Sequence, residues 1–231
     1  MSLELLERAA KTLGPALLQD VVFLGGASIQ LWLSDPGAPP SRATNDVDVI
    51  SAITTRVDYY RFGQRLRARG FSEASDFPII CRWRHRETAL LLDVMPLTEN
   101  VLGFSNPWYR HAIDNTSKRQ LPSGDHIKAA TPPSIIATKL AAWHGRGKDD
   151  MLASLGLHDI LVLIDGRPEL PAEISAESAG LRSYIAQELA ALRRDPYFPY
   201  LLESALHGYG QLAAPRAEHL RRQIDAIIAT G

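Results

Sequence analysis

The chain has 231 residues and a formal net charge of -1. Hydrophobic residues make up 45% and charged residues 22%, which is ordinary usage for a soluble globular protein. The near-neutral balance argues against a general polyanion-binding protein, so any contact with nucleic acid must come from a local basic patch. The length fits one large domain or two small ones, and it suffices to bury a hydrophobic core without disulfides.

The cysteine content and the apolar runs bear on the compartment. Cys81 is the one cysteine, so an intramolecular disulfide is excluded, and a lone thiol is typical of a reducing compartment. The N-terminal segment has the pattern of an acidic amphipathic helix rather than a signal peptide, and no apolar run approaches the length of a membrane span. These features predict a cytoplasmic protein with no membrane partner.

The first part of the chain mixes helix and strand patterns. The periodicity predicts a helix over residues 2–13 and a buried strand over 20–24 that ends at Gly25 and Gly26. Further elements follow in chain order: a helical segment over 27–33, a proline-rich loop over 34–43, a strand over 46–50, a helix over 56–70, and strands over 79–85 and 88–95 that would form a hairpin. Residues 97–130 carry no clear pattern.

After Ala130 the pattern becomes almost purely helical. Thr131 fits a helix N-cap, and the prolines that follow it fit the first helical positions. Helices are predicted over residues 134–146, 154–166, 176–193, 197–206 and 214–229. The sequence therefore predicts an α/β (α+β) protein with two parts. Residues 1–130 would form a short mixed sheet flanked by helices, and residues 131–231 a helical C-terminal domain.

Three aspartates are candidate metal ligands. Asp46 and Asp48 occupy positions i and i+2 of a predicted strand, so their carboxylates share one face and repel each other. A divalent cation removes that repulsion, and magnesium commonly uses one or two carboxylates together with substrate phosphates. Asp93 interrupts an apolar strand, where a charge needs a partner. Two alternatives stay open, an ion pair of Asp93 with Arg82 or Arg84, and an Asx-type turn for the aspartate pair.

The glycines before the aspartate pair are candidates for phosphate binding. A strand-to-helix turn built from Gly25 and Gly26 would let backbone N–H groups approach a phosphate, with help from the helix dipole. The Ser28 hydroxyl could add a contact. A Gly-Gly turn and an Asp-x-Asp pair are each common, but their succession, followed by a lone Asp on a later strand, is more specific. The glycine motifs of dinucleotide-binding domains and P-loops are missing from the sequence.

The segment "GGASIQLWL…RATNDVDVI" resembles the opening of the nucleotidyltransferase superfamily that includes polymerase β, in particular its minimal and AbiEii-toxin-like branches. The resemblance implies a nucleotidyltransferase-like core that transfers a nucleoside monophosphate from an NTP with Mg²⁺, or Mn²⁺ in its place. Many members have serine where Ala27 stands, so Ser28 would substitute. The resemblance assigns phosphate binding to Gly25 and Gly26, and metal binding to Asp46, Asp48 and Asp93.

A second block, "PPSIIATKLAAWHGRGKDD" with "LHDILVLIDGR", is similar to the C-terminal motifs of AbiEii-like toxins. This similarity implies that Lys139 and Arg146 neutralise the nucleotide phosphates from one helical face and that Asp159 takes part in catalysis. A solvated helix face for the two cations stays open as an alternative. So does a purely structural role for Asp159 in the first turn of its helix, where the dipole favours an acid.

The implied reaction is attack by an acceptor hydroxyl on the α-phosphate of an NTP. The AbiEii-like resemblance implies a toxin of a toxin–antitoxin pair, which would act on tRNA, another RNA or a protein and have an antitoxin protein as partner. A small-molecule (antibiotic-type) nucleotidyltransferase and a non-catalytic nucleotide-binding module stay open. Basic and aromatic residues interleave over 81–87 and 108–120, a pattern typical of an RNA-binding surface and also of protected sheet edges.

Overall fold

The computed structural model describes residues 2–38, 40–145 and 150–231. The chain forms two compact units. The sheet unit comprises Met1–Leu31 and Arg42–Ser134, and the helical unit comprises Trp32–Ser41 and Ile135–Gly231. The division predicted after residue 130 stays a prediction of domain organisation. By spatial contacts, the segment 32–41 belongs with the C-terminal helices.

The sheet unit is built on one seven-stranded mixed sheet. Its strands are β1 (Val22–Leu24), β2 (Asp46–Ser51), β3 (Phe71–Glu73), β4 (Arg82–His85), β5 (Leu91–Pro96), β6 (Thr116–Gln120) and β7 (His126–Ala130). Their order across the sheet is β3-β4-β5-β2-β1-β7-β6. The pairs β2–β5 and β1–β7 are parallel, and the other neighbours are antiparallel. This sheet and its flanking helices confirm the predicted α/β class.

Among the residues that the structure describes, five helices belong to the sheet unit. They are α1 (Ser2–Leu18), α2 (Gly25–Ser28), α3 (Arg56–Ala68), α4 (Glu99–Leu102) and α5 (Tyr109–Asp114), and a 3₁₀ turn, Ile29–Leu31, continues α2. Helix α1 breaks at Gly14, whose φ of 71° is left-handed, and resumes at Pro15. The predicted end at residue 13 therefore marks a kink, because a proline is tolerated in the first turn of a new helical segment.

The core of the sheet unit lies along the central strands. Phe23 of β1, Ile50 of β2 and Leu92 of β5 are fully buried. Burying an apolar side chain of this size stabilises the fold by roughly 1.5–3 kcal/mol. In β2 the buried valines alternate with the half-buried aspartates, so the pleat directs the acids to one face while the apolar side chains hold the strand in place.

The helical unit continues from α6 (Pro132–Gly145), which begins at the end of the sheet unit. Its further helices are α7 (Leu155–Gly166), α8 (Leu170–Ser175), α9 (Ala179–Arg194), α10 (Phe198–Leu206) and α11 (Ala213–Ile228), with a 3₁₀ segment, His207–Leu212, before α11. Ser154 and Ser178 cap α7 and α9 with their side chains. The predicted helical C-terminal part is confirmed. No helix among the described residues is both long and apolar enough to cross a membrane.

Candidate metal and nucleotide site

The strand register brings the three predicted aspartates to one face of the sheet. Asp46 and Asp48 are two residues apart on β2, and Asp48 stands opposite Asp93 of the parallel strand β5. Residues that pair across neighbouring strands project from the same face, as do residues two apart along one strand. Their juxtaposition is a property of the two central strands, and their role as metal ligands stays a prediction.

An arginine lies between two of these aspartates. Arg82 of β4 stands opposite Asp93 in the antiparallel register. Its Nε donates to Asp93 Oδ1 over 2.7 Å and its Nη2 to Asp93 Oδ2 over 2.8 Å, while Nη2 also contacts Asp46 Oδ2. The Arg82 and Asp93 side chains are only 8% and 9% exposed. The ion pair left open by the sequence is therefore formed by Arg82, because Arg84 instead contacts Asp76.

The Arg82 guanidinium is held as a cation on two sides. The hydrogen bonds to Asp93 raise the pKa of Arg82 above its ordinary value despite the opposing effect of burial. The face of Phe77 lies 5.0 Å from the guanidinium carbon, a cation–π distance. On the other oxygen of Asp46, the Thr44 hydroxyl donates a hydrogen bond over 2.7 Å. The site therefore holds one internal positive charge among its carboxylates.

Gly25 and Asp48 are in direct contact. Gly25 has a φ of +77°, a conformation that residues with a side chain rarely adopt. A Cβ atom at this position would lie 1.8 Å from Asp48 Oδ2, which is far inside van der Waals contact. The carboxylate therefore packs on the bare backbone of the strand-to-helix turn. The glycine turn and the Asp-x-Asp strand are therefore in contact in the structure. In the sequence they are recognisable only as motifs that follow each other.

The short helix after the turn differs from the expected phosphate grip. Helix α2 has four residues and passes into the 3₁₀ turn, so it cannot supply the dipole of a full-length helix. Gly26 is buried within it. Ser28 is also fully buried, and its hydroxyl donates to the Leu24 carbonyl over 2.9 Å. This corrects the expectation for Ser28, because its side chain satisfies the preceding turn instead of facing a phosphate.

The pKa of the Cys81 thiol reflects its burial and the negative charges nearby. Its thiol is buried, and that burial raises its pKa to about 12, with further contributions from the negative charges of Asp93 and Asp48. The thiol is therefore neutral at ordinary pH. A nucleophilic role for Cys81 is disfavoured, since the thiolate is the reactive form.

In the helical unit, two of the predicted catalytic residues contact each other. Lys139 Nζ lies 2.7 Å from Asp159 Oδ2, and the two side chains are 14% and 2% exposed. Lys139 therefore does not lie on a solvated helix face, because both charges of this pair are largely removed from water. Arg146 lies outside the described residues. The Asp150 carboxylate accepts hydrogen bonds from the backbone N–H groups of Leu152 and Ala153 and so closes a turn.

The donor set of the sheet unit fits a divalent metal in its chemistry. Carboxylate oxygens are the ligands that Mg²⁺ and Mn²⁺ prefer, and three carboxylates share the face. Within residues 2–38, 40–145 and 150–231, however, no three His, Cys, Asp or Glu side chains are grouped so that they could hold an ion as they stand. Arg82 already engages both oxygens of Asp93 and one of Asp46, so an incoming metal must take these oxygens from the guanidinium.

A concavity of about 570 Å³ lies at the other end of the central strands. Val22 and Ile50 line it, at the end of the β1–β2 pair opposite Leu24 and Asp48. Its three cations are engaged: Arg61 by Asp58, Arg65 by Asp20 and Lys128 by the Gln19 carbonyl. Size alone does not make this concavity the functional site, since its charges are already neutralised or hydrogen-bonded.

No protein-family model matches the chain, and no curated protein is similar enough to it to count as a relative.

Proposed function

We propose that this protein is a magnesium-dependent nucleotidyltransferase that moves a nucleoside monophosphate from an NTP to an acceptor hydroxyl. The observation that carries the proposal is the packing of Asp48 on the backbone of Gly25, with Asp93 opposite Asp48 on the neighbouring strand. A turn whose Cα carries no side chain lets a carboxylate pack against it, and the clustered carboxylates would provide oxygen ligands for a metal that binds a phosphate.

The aspartates of the sheet unit would bind the metal and accept a proton in the proposed reaction. Asp46, Asp48 and Asp93 would hold Mg²⁺, or Mn²⁺ in its place, and the metal would neutralise charge on the transferring phosphate. As the acceptor oxygen forms a bond to the α-phosphorus, the bond from that phosphorus to the bridging oxygen breaks and pyrophosphate leaves. Asp93 is the candidate to receive the acceptor proton once Arg82 no longer occupies both of its oxygens.

The phosphates beyond the reacting one need further donors. The backbone N–H groups of Gly25 and Gly26 would serve the outer phosphates from the sheet unit. Lys139 and Arg146 are the cations proposed for nucleotide phosphates from the sequence resemblance, and Asp159 would position the Lys139 ammonium through its ion pair.

For the acceptor, we propose an RNA such as tRNA, or a protein, in the manner of AbiEii-like toxins, with an antitoxin protein as the partner. We also propose a cytoplasmic location, which the single reduced cysteine supports. A specific observation favours a second candidate, a non-catalytic nucleotide-binding module. Arg82 neutralises Asp46 and Asp93 by itself, so a protein without metal chemistry could keep the same site.

Isotope position distinguishes the two candidates. The protein is incubated with Mg²⁺ or Mn²⁺, each of the four NTPs, and total tRNA, cell protein or an aminoglycoside as acceptor. Nucleotidyl transfer puts label from the α-phosphate, and none from the γ-phosphate, on the acceptor. If NTPs bind but no acceptor is labelled under any of these conditions, the non-catalytic module becomes the better account.

A further inference from the structure

We propose that Arg82 is a built-in cation that occupies the carboxylate site and makes divalent-metal binding depend on the nucleotide. The inference rests on the proposed function only in naming the ligands, a divalent metal and an NTP. It goes beyond that function because it assigns Arg82 control over when the site accepts its metal.

Arg82 and a metal would compete for the same carboxylate oxygens. Both oxygens of Asp93 accept from the guanidinium, at 2.7 and 2.8 Å, and the same group contacts Asp46 Oδ2. A bound Mg²⁺ needs such oxygens at about 2.1 Å, in a nearly ideal octahedral arrangement. Two cations that share one carboxylate at these distances also repel each other. A metal that binds all three aspartates therefore has to displace the guanidinium from Asp93 and from one oxygen of Asp46.

Leaving is costly for Arg82 unless it finds another anion. An arginine side chain stays charged under all ordinary conditions, and its side chain is only 8% exposed here. A buried guanidinium without its carboxylates would be strongly unfavourable. The triphosphate that comes with the metal supplies a new anionic partner, and guanidinium groups bind phosphate well through paired N–H donors. Metal and nucleotide should therefore bind together far better than the metal alone.

The same strand provides a matched control. Arg84 lies two residues from Arg82 on β4, its guanidinium is 5.4 Å from the same Phe77 ring, and it has its own carboxylate partner, Asp76. That pair is exposed, at 39% and 58%, and involves none of the three aspartates. Arg84→Gln removes the same group from the same strand and leaves the carboxylate site unchanged.

The test is a Mn²⁺ titration of the whole chain, followed by thermal melting and circular dichroism. Wild type, Arg82→Gln and Arg84→Gln are compared without nucleotide, and then with an ATP analogue that cannot be cleaved between its α- and β-phosphates. The Mn²⁺ concentration that stabilises Arg82→Gln should be lower than the concentration that stabilises wild type by about tenfold or more. This factor corresponds to the free energy of one charge-assisted contact. Arg84→Gln should follow wild type. The analogue should lower the Mn²⁺ requirement of wild type by a similar factor and that of Arg82→Gln by much less.

The test also gives an answer if the Arg82→Gln variant fails to fold. If Arg82→Gln does not fold without metal, because Asp46 and Asp93 are left unpaired, Mn²⁺ should restore its native circular dichroism. A variant that Mn²⁺ cannot restore, or one that responds to Mn²⁺ as wild type does, would overturn the inference. If wild type labels an acceptor while wild type and Arg82→Gln respond equally to Mn²⁺, the proposed function is supported and the inference about Arg82 is wrong. Tighter Mn²⁺ binding by Arg82→Gln without any labelled product supports the inference and removes the transferase.

Discussion

Each unit of the molecule contains an arginine that bridges two aspartates, and the two bridges differ in what they connect. In the helical unit Arg216 of α11 contacts Asp35, in the segment 32–41, and Asp165 of α7. Its Nη2 lies 2.7 Å from Asp165 Oδ2, and the Tyr209 hydroxyl also donates to Asp165. These groups come from separate elements, so the bridge ties together parts of the unit that no strand ladder joins.

In the sheet unit the elements around Arg82 are already joined. Strands β4, β5 and β2 are neighbours in one hydrogen-bonded sheet, with Arg82 opposite Asp93 and Asp48 opposite Asp93 in its registers. A charged bridge adds little connection there, and the buried acids still carry a desolvation cost. The difference indicates that the Arg216 bridge serves the fold, and it agrees with the proposed chemical role of the carboxylates around Arg82.

The largest effect on stability is expected from breaking the Arg216 bridge. Arg216→Met removes the cation and leaves Asp165, whose side chain is 4% exposed, with a buried charge. Loss of one partner of a buried pair costs about 3–5 kcal/mol. Urea unfolding should show this loss, while the Mn²⁺ response of the sheet unit stays as in wild type. An unchanged unfolding midpoint would contradict the structural assignment of this bridge.

A second prediction separates backbone strain from the contact with Asp48. Gly25→Ala introduces a Cβ atom 1.8 Å from Asp48 Oδ2 at a left-handed φ, so both strain and displacement of the carboxylate are expected. Gly103 has a similar φ of +82°, and a Cβ atom added there would have nothing within 4 Å, so Gly103→Ala is the control for strain alone. Strain of this kind costs roughly 1–3 kcal/mol.

Both glycine variants should lose stability in a thermal melt, and Gly25→Ala should lose more. Only Gly25→Ala should also lose metal-dependent nucleotide binding, measured by calorimetry with the uncleavable ATP analogue. If both variants bind the analogue and Mn²⁺ equally well, the contact between Gly25 and Asp48 has no part in the site.

The smallest effect is expected at the exposed pair on β4. Arg84→Gln removes the contact with Asp76, whose side chain is 58% exposed. Exposed ion pairs contribute about 0–1 kcal/mol, so the melting temperature should change little. A large drop would mean that the Arg84 guanidinium stabilises the sheet through Phe77 instead, and the contrast with Arg82 would lose its control.

The sequence predicted the central elements of the sheet unit and missed its edges. Strands β2 and β5 have apolar patterns that are visible in the sequence, because they lie near the middle of the sheet. The strand predicted over 79–85 is formed only from Arg82 to His85, and its apolar start, residues 79–81, precedes β4. Strand β6, an edge strand with charged residues and no fully buried position, has no such pattern. Strand β3 has only three residues, which is too short for any periodicity to show.

The composition of the site was predictable, but its internal contacts were not. Arg82 and Arg84 share one face of β4, and a register shift of two residues would exchange them opposite Asp93, so only the structure identifies the partner. The contact between Gly25 and Asp48 depends on the register of β1 against β2. A helical turn and a long loop separate these two strands in the chain, so the sequence does not determine their register. Ser28 was misjudged because its hydroxyl bonds back to its own turn, a local competition that the motif does not reveal.

The central claim is that the carboxylates beside Gly25 hold a metal for nucleotidyl transfer, and Asp48→Asn tests it most directly. The change keeps the size of the side chain and removes one charge from the cluster. Transfer of α-phosphate label to the acceptor should fall by at least about a hundredfold. The metal-free melting temperature should be unchanged or higher, because repulsion between Asp46 and Asp48 is relieved. A clearly lower melting temperature with transfer retained would contradict the claim and make Asp48 a structural residue.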